Sequence, residues 1–325
     1  MTLNKHDDVR VTMYQPDTRG VIEVPNIEIL KTLQFNRTTK WTNPSLPREV
    51  MEYGKIPPFG IKEIHAEGIT GKGVNVAIID QPLALDHPEY KGKVAEYKVF
   101  GPEEVMRSHT SSMHGPGVMS LLAGNTIGTA PDVNVYYVAT PTWIRNAKHE
   151  IEALDWIVDT NFFLPDDKKI KFVSVSASPG NPKQRTENHE LWAEVVEKAK
   201  RAGIIVLDCG ETNFVSPGYL DYKSDDFKFG FPLRGMENIG GRVYAPSSLR
   251  TVAESYDNEN FSYSYCGQGG LSWAIPYAAG VLCLGQQVNG KLSAEELKAL
   301  LIETAAKNNN VIAPREFINA VSKHK

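Results

Sequence analysis

The sequence predicts an α/β fold, doubly wound, with a mostly parallel sheet and helices on both faces. Two observations carry this: short apolar runs alternate with helical patterns, and 325 residues at 41% hydrophobic and 23% charged can bury one large core. The runs "VNVAII" (74–79), "VNVYYVA" (133–139), "KFVSVS" (171–176) and "IIVLDCG" (204–210) read as strands. Between them, "KHEIEALDWIVD" puts Ile151, Leu154, Ile157 and Val158 on one helical stripe. "ENHELWAEVVEKAKRAG" does the same with Leu191, Trp192, Val195, Val196 and Ala199, and stops at Gly203. Further on, "GGLSWAIPYAAG" (269–280) reads as a helix start with Pro276 in its first turn, and Ala274, Ala278, Ala279 and Gly280 allow close packing. "SAEELKALLIETAAK" opens with a capping box, Ser293 followed by Glu296.

Residues 1–50 are polar and broken by Pro16, Pro25, Pro44 and Pro47, so they are expected to form an N-terminal extension ahead of a domain at 51–325. Residues 212–241 are the least regular stretch and are expected to form a long surface loop. The net charge of −4 and the lack of a long basic run argue against nucleic acid or a membrane surface as partner and favour a small or peptidic one. The N-terminal "MTLNKHDDVRVTMYQPD" carries charges where a secretory signal needs apolar residues, so a cytoplasmic protein is expected. Cys209, Cys266 and Cys283 are odd in number and lack C-x-x-C spacing, which implies reduced thiols, no disulfide framework and no zinc.

Three residues carry candidate chemistry. Asp80 ends the first strand, where ligands gather on an open parallel sheet, although an isolated Asp ahead of Pro82 more often caps a turn. His114, in "MHGPGVMSLLAG", stands at the mouth of a predicted helix; taken singly it reads better as a surface histidine near a turn. Ser272 stands at another helix mouth, where unpaired amides and the positive end of the helix dipole point outward.

Taken together, the text around these residues resembles the subtilisin-like serine proteases (subtilases), from about Pro57 to near the C-terminus. "GKGVNVAIIDQPLALDHPEY" is similar to the family's aspartate motif, "HGPGVMSLLAG" to its histidine motif, and "IGTAPDVNVYYV" to the strand that follows. "GGLSWAIPYAAG" is similar to its serine signature, with Leu271, Trp273 and Tyr277 as replacements. The chain order Asp, His, Ser is that of subtilisin. The resemblance implies a serine endopeptidase that cuts a peptide or protein substrate through an acyl-enzyme and needs no cofactor, with Asp80, His114 and Ser272 as triad and the Ser272 amide in the oxyanion hole. It also implies that "SVSAS" pairs with the substrate backbone through Ser176, Ala177 and Ser178, with Gly210 on the neighbouring strand end. Those small residues fit a closely packed strand equally well.

The departures are as specific as the matches. In "IIVLDCGETN", Glu211 stands where the family has the oxyanion Asn, and an ionised carboxylate has no hydrogen to donate. A protonated Glu211, Asn213 as substitute, or an impaired site are the three outcomes, and the last makes the chain a peptide-binding pseudoprotease. The segment between His114 and "IGTAP" is shorter than in the family, so no structural calcium, and no other metal, is expected. Residues 1–50 are too short for an independently folded prodomain; they suit a brief inhibitory segment or a plain arm.

Overall fold

The computed structural model describes residues 2–10, 20–108, 112–210, 213–220, 242–255 and 261–324. Four short elements come first: α1 (Ile27–Leu30), β1 (Gln34–Asn36), α2 (Ser45–Lys55) and α3 (Ile61–Ala66). The central sheet then forms from β2 (Asn75–Asp80), β3 (Val94–Val99), β4 (Asn134–Ala139), β5 (Phe172–Val175) and β6 (Ile205–Asp208). Its order is β3-β4-β2-β5-β6, every pair parallel. Four of the five strands are those expected, within two residues at each end, and β3 at the edge was not anticipated.

Helices α4 (Glu103–Ser108), α5 (His114–Ala123), α6 (Lys148–Phe163) and α7 (Trp192–Arg201) fall between the strands. Alternation along β2 shows how both faces are filled. Val76 and Ile78 join a core with Val118, Leu122 and Ile275, while Ala77 and Ile79 join Leu154, Ile157, Trp192 and Val195 on the other side. The sheet is therefore doubly wound. After β4 the chain crosses to the far side of β2 to make β5, so the carboxyl end of β2 lies at a topological switch point. Asp80 is its last residue.

The remainder departs further from expectation. β7 (Val215–Gly218) lies inside the stretch read as loop and pairs in parallel with β8 (Val243–Pro246), while residues 221–241 of that stretch lie outside the described residues. "VSPG" has no readable period, and tertiary burial of Val215 makes it a strand. β9 (Arg250–Ser255) and β10 (Phe261–Cys266) form an antiparallel sheet with β1, in the order β1-β10-β9. The long α8 (Leu271–Val288) follows, then α9 (Ala294–Ala306), whose capping box is present as predicted, and α10 (Pro314–Lys323).

Residues 1–50 are not simply an irregular extension. Leu3, Val9, Ile22, Leu30, Leu33, Phe35 and Val50 make a buried cluster with Tyr265 of β10, and α2 runs across the expected boundary at residue 50. Those apolar residues are scattered along the chain without a helix or strand period. They meet only in space, which is why the sequence pattern conceals them.

Candidate active site

The switch point brings Asp80 and His114 together. All six residues of β2 are buried, Asp80 completely. One Asp80 carboxylate oxygen, Oδ1, accepts the Gln81 amide and the His114 Nδ1–H, both at 2.7 Å. Oδ2 is buried and makes no hydrogen bond among the described residues. Gly115 makes the approach possible: a Cβ there would lie 2.3 Å from the Gln81 carbonyl oxygen, so only glycine lets the mouth of α5 descend onto the turn after β2.

Ser272 is the second residue of α8. The turn ahead of it requires glycine, since Gly269 has φ +63° and a Cβ there would sit 1.7 Å from the Ser247 carbonyl oxygen. Pro276 corrects one expectation. The helix begins at Leu271, so the proline lies beyond the first turn, inside the helix. Its missing amide leaves the Ser272 carbonyl without an intrahelical donor. Ser176 Oγ supplies that hydrogen bond at 2.9 Å, and Ser272 Oγ in turn donates to the Ser176 carbonyl at 3.3 Å. The two serines are thus reciprocally tied, and the rest of α8 from Trp273 to Gln286 is buried. Gly280 accounts for part of that closeness, because a Cβ there would stand 2.6 Å from Thr129 Cβ.

His114 and Ser272 line one shallow cleft of about 200 Å³, with Gln34, Cys266, Gly270 and Trp273 among its other walls. Among the described residues the Ser272 hydroxyl bonds to Ser176 and not to the imidazole. Contacts between a nucleophile and its base are often loose before substrate binds. The Trp273 ring lies 5.4 Å from the imidazole, centroid to centroid, tilted 34°. Gly117 of α5 leaves room for it, since a Cβ there would meet the indole at 3.1 Å.

Burial opposes charge on His114, but the Asp80 carboxylate and its hydrogen bond outweigh burial, so the imidazole is held above its ordinary range. Neither thiol near the site competes as nucleophile. Burial pushes Cys209 up to about 12 and Cys266 up to about 11, so both stay protonated at neutral pH.

The oxyanion and substrate positions are less uniform. Glu211 lies outside the described residues. Asn213, the expected substitute donor, is buried; its Nδ2 donates to the Val215 carbonyl at 3.0 Å and its Oδ1 accepts the Val215 amide at 3.2 Å. That local ring uses one of the two Nδ2 hydrogens. The Gly210 amide is likewise committed, to Asp208 Oδ1 at 2.8 Å. Ser176, Ala177 and Ser178 continue beyond the end of β5, and their side chains face inward: Ser178 Oγ donates to the Cys209 carbonyl at 2.7 Å, and the Ala177 carbonyl accepts the Cys209 amide at 2.8 Å. Beside Gly210 opens a groove of about 580 Å³ whose walls include Gly180, His189, Glu190, Trp192 and Asp208. Sequence reasoning missed Gln34, which carries no local signal, and noted Trp273 only as a departure from a motif.

A carboxylate–imidazole pair beside a helix-mouth serine, at the carboxyl end of a parallel sheet, is the layout of a serine hydrolase site. Residues 71–214 match the model of the Subtilase family. The chain is 25% identical over 280 residues to Subtilisin-like protease PopC of Myxococcus xanthus (strain DK1622), covering 76% of this chain and 58% of that protein. It is 27% identical over 228 residues to Subtilisin E of Bacillus subtilis (strain 168), covering 66% and 51%. With the Intracellular serine protease of Paenibacillus polymyxa it shares 26% over 281 residues, covering 76% and 79%. The chain thus spans only a little over half the length of PopC and of Subtilisin E. Solved structures of similar fold include the PatG macrocyclase domain (TM-score 0.57, 15% identity, 82% of this chain and 95% of that one). The subtilase cytotoxin SubAB assembly is another (TM-score 0.57, 17% identity, 84% and 96%). Over residues 71–214, and in these relatives, the chain is similar to the subtilisin-like serine proteases. Among the described residues no helix is long and apolar enough to cross a membrane.

Proposed function

We propose that the chain is a serine endopeptidase that hydrolyses peptide bonds through an acyl-enzyme, with Ser272 as nucleophile, His114 as general base and Asp80 as the carboxylate behind it. The observation that carries this reading is the 2.7 Å hydrogen bond from His114 Nδ1 to a buried Asp80, in a cleft that Ser272 also lines. With Nδ1 protonated and engaged, Nε2 is left as the basic nitrogen. Ser272 Oγ attacks the scissile carbonyl and its proton passes to Nε2. The resulting imidazolium is stabilised by Asp80 and returns the proton to the leaving amine, and water then repeats the sequence on the acyl-enzyme. The Ser272 amide, in the first turn of α8 where helical amides lack intrahelical partners, is aimed at the developing oxyanion.

Incubation with a denatured protein substrate, with analysis of the cleavage products, tests this. The unmodified chain yields discrete peptides and Ser272→Ala yields none; equal cleavage by both would remove Ser272 from the mechanism.

A second reading, a peptide-binding pseudoprotease, is favoured by the oxyanion side. Glu211 replaces the donor that the family pattern supplies, and the carboxamide of Asn213 and the amide of Gly210 both have other partners. Under that reading the chain retains peptides with the same affinity whether or not Ser272 is present, and releases them uncut.

A further inference from the structure

The cleft has a wall from an unexpected part of the chain. β1 pairs with β10 in antiparallel register, Gln34 opposite Cys266. On its other side the Gln34 backbone is bonded to residues 7–9: its amide donates to the Asp7 carbonyl at 3.0 Å and its carbonyl accepts the Val9 amide at 2.9 Å. With both edges satisfied, this segment is held as a sheet strand is held. Side-chain ties reinforce it. Phe35 stacks on Tyr265 with centroids 4.9 Å apart, Tyr265 Oη donates to the Lys31 carbonyl at 3.0 Å, and Asn36 Nδ2 donates to the buried Glu254 at 2.7 Å. The Leu33 carbonyl accepts the Gly267 amide at 2.9 Å, which fastens the turn leading into Ser272.

Strand alternation then decides where Gln34 faces. Phe35 enters the buried cluster with Tyr265, so Gln34 lies on the opposite face, alongside its cross-strand partner Cys266. Both line the cleft with His114 and Ser272.

Resting on the proposed hydrolysis, the location assigns a side. Ser272 is tied to Ser176, the start of the stretch read as pairing with the substrate backbone, and no residue of 176–178 lines the cleft, which leaves the cleft to another part of the substrate. Gln34 approaches instead from β1, beside the turn that precedes Ser272. We propose that Gln34 is a specificity-determining residue for the leaving-group side of the substrate, presented by an N-terminal segment that is a fixed part of the active-site wall. Its carboxamide both donates and accepts, so it suits a polypeptide with a small or polar residue after the cleaved bond.

Peptides that differ only in the residue after the cleaved bond, glycine or phenylalanine, test this with Gln34→Trp and Gln34→Ala. The expected result is a fall in the phenylalanine-to-glycine ratio of kcat/KM of about tenfold in Gln34→Trp, from lost space, and a rise in Gln34→Ala. Val21→Ser, an exposed position on the same segment, leaves the ratio where it is. An unchanged ratio in both Gln34 variants, in protein whose Ser272 still takes a fluorophosphonate label, overturns the assignment while leaving the hydrolysis reading intact. Absence of labelling in the unmodified chain overturns the hydrolysis reading, and the role of Gln34 with it.

Discussion

One part of the Ser272 cleft is tightly built: Asp80 is fully buried, His114 is bonded to it at 2.7 Å, and Gly115 permits the approach of the two elements that carry them. At the residues expected on the oxyanion and substrate side, the Gly210 amide is bound to Asp208 and the Asn213 carboxamide to Val215. The two halves answer to different physical demands. Moving a proton needs one carboxylate and one imidazole at hydrogen-bond distance, which the switch point of the sheet supplies from adjacent elements. Stabilising an oxyanion needs donors aimed at a position that no ground-state atom occupies, and a single substitution such as Glu211 can remove one.

The largest expected effect breaks the stronger half. Asp80→Asn removes the charge that orients and supports His114, and the analogous change in another serine protease costs about 10⁴ in kcat. Steady-state kinetics on a peptide substrate would register it; a loss below about tenfold would mean that the relay is not what limits this site.

Repairing the weaker half comes next. Glu211→Asn restores a neutral donor, and the expected gain in kcat is about 10²–10³, the size of the loss when the corresponding Asn is removed from subtilisin. A fall in kcat would show instead that Glu211 has a role of its own.

The tie between the two serines is smaller and lies between the halves. Ser176→Ala leaves the Ser272 carbonyl without a donor, at an expected cost of about 1–3 kcal/mol, measurable by denaturant unfolding. In a Pro276→Ala background the restored helical amide can reach the same carbonyl, so the Ser176→Ala cost shrinks. Equal costs in the two backgrounds would mean that the bond does not carry the effect.

The smallest effect is a shift along the pH axis. Because Asp80 holds His114 above its ordinary value, the protonated imidazole adds stability to the fold that is complete below about pH 6.5 and fades as pH rises through the raised value. Activity needs the neutral imidazole and so has the opposite sign, rising over that same interval. In Asp80→Asn only the effect of burial remains, and the acid limb of kcat/KM moves to lower pH.

Much of the sheet, and the position of Asp80 at its end, was legible because it is written locally. Ile78 and Ile79 fill opposite faces within one strand, and Asp80 ends that strand and accepts the amide of the next residue, Gln81. What escaped was written at long range. Leu33, Phe35 and Tyr265 come together from 230 positions apart, and β1 exists because β10 offers it an edge. Pro276 was legible as a helix residue, but its consequence was not, because the donor that satisfies the Ser272 carbonyl comes from the far strand end at Ser176. The local ring between Asn213 and its near neighbour Val215 escaped for the converse reason, since it is a side-chain-to-backbone tie that apolar periodicity does not register.

The central claim is that the Ser272 hydroxyl is made nucleophilic by His114. The rate at which a fluorophosphonate modifies the intact chain, followed against pH and with the adduct located by peptide mass mapping, tests it most directly. The account predicts an adduct on Ser272 that forms faster as pH rises through the His114 titration, and no measurable adduct in His114→Ala. Modification at another residue, or a rate on Ser272 indifferent both to pH and to the loss of His114, would contradict it.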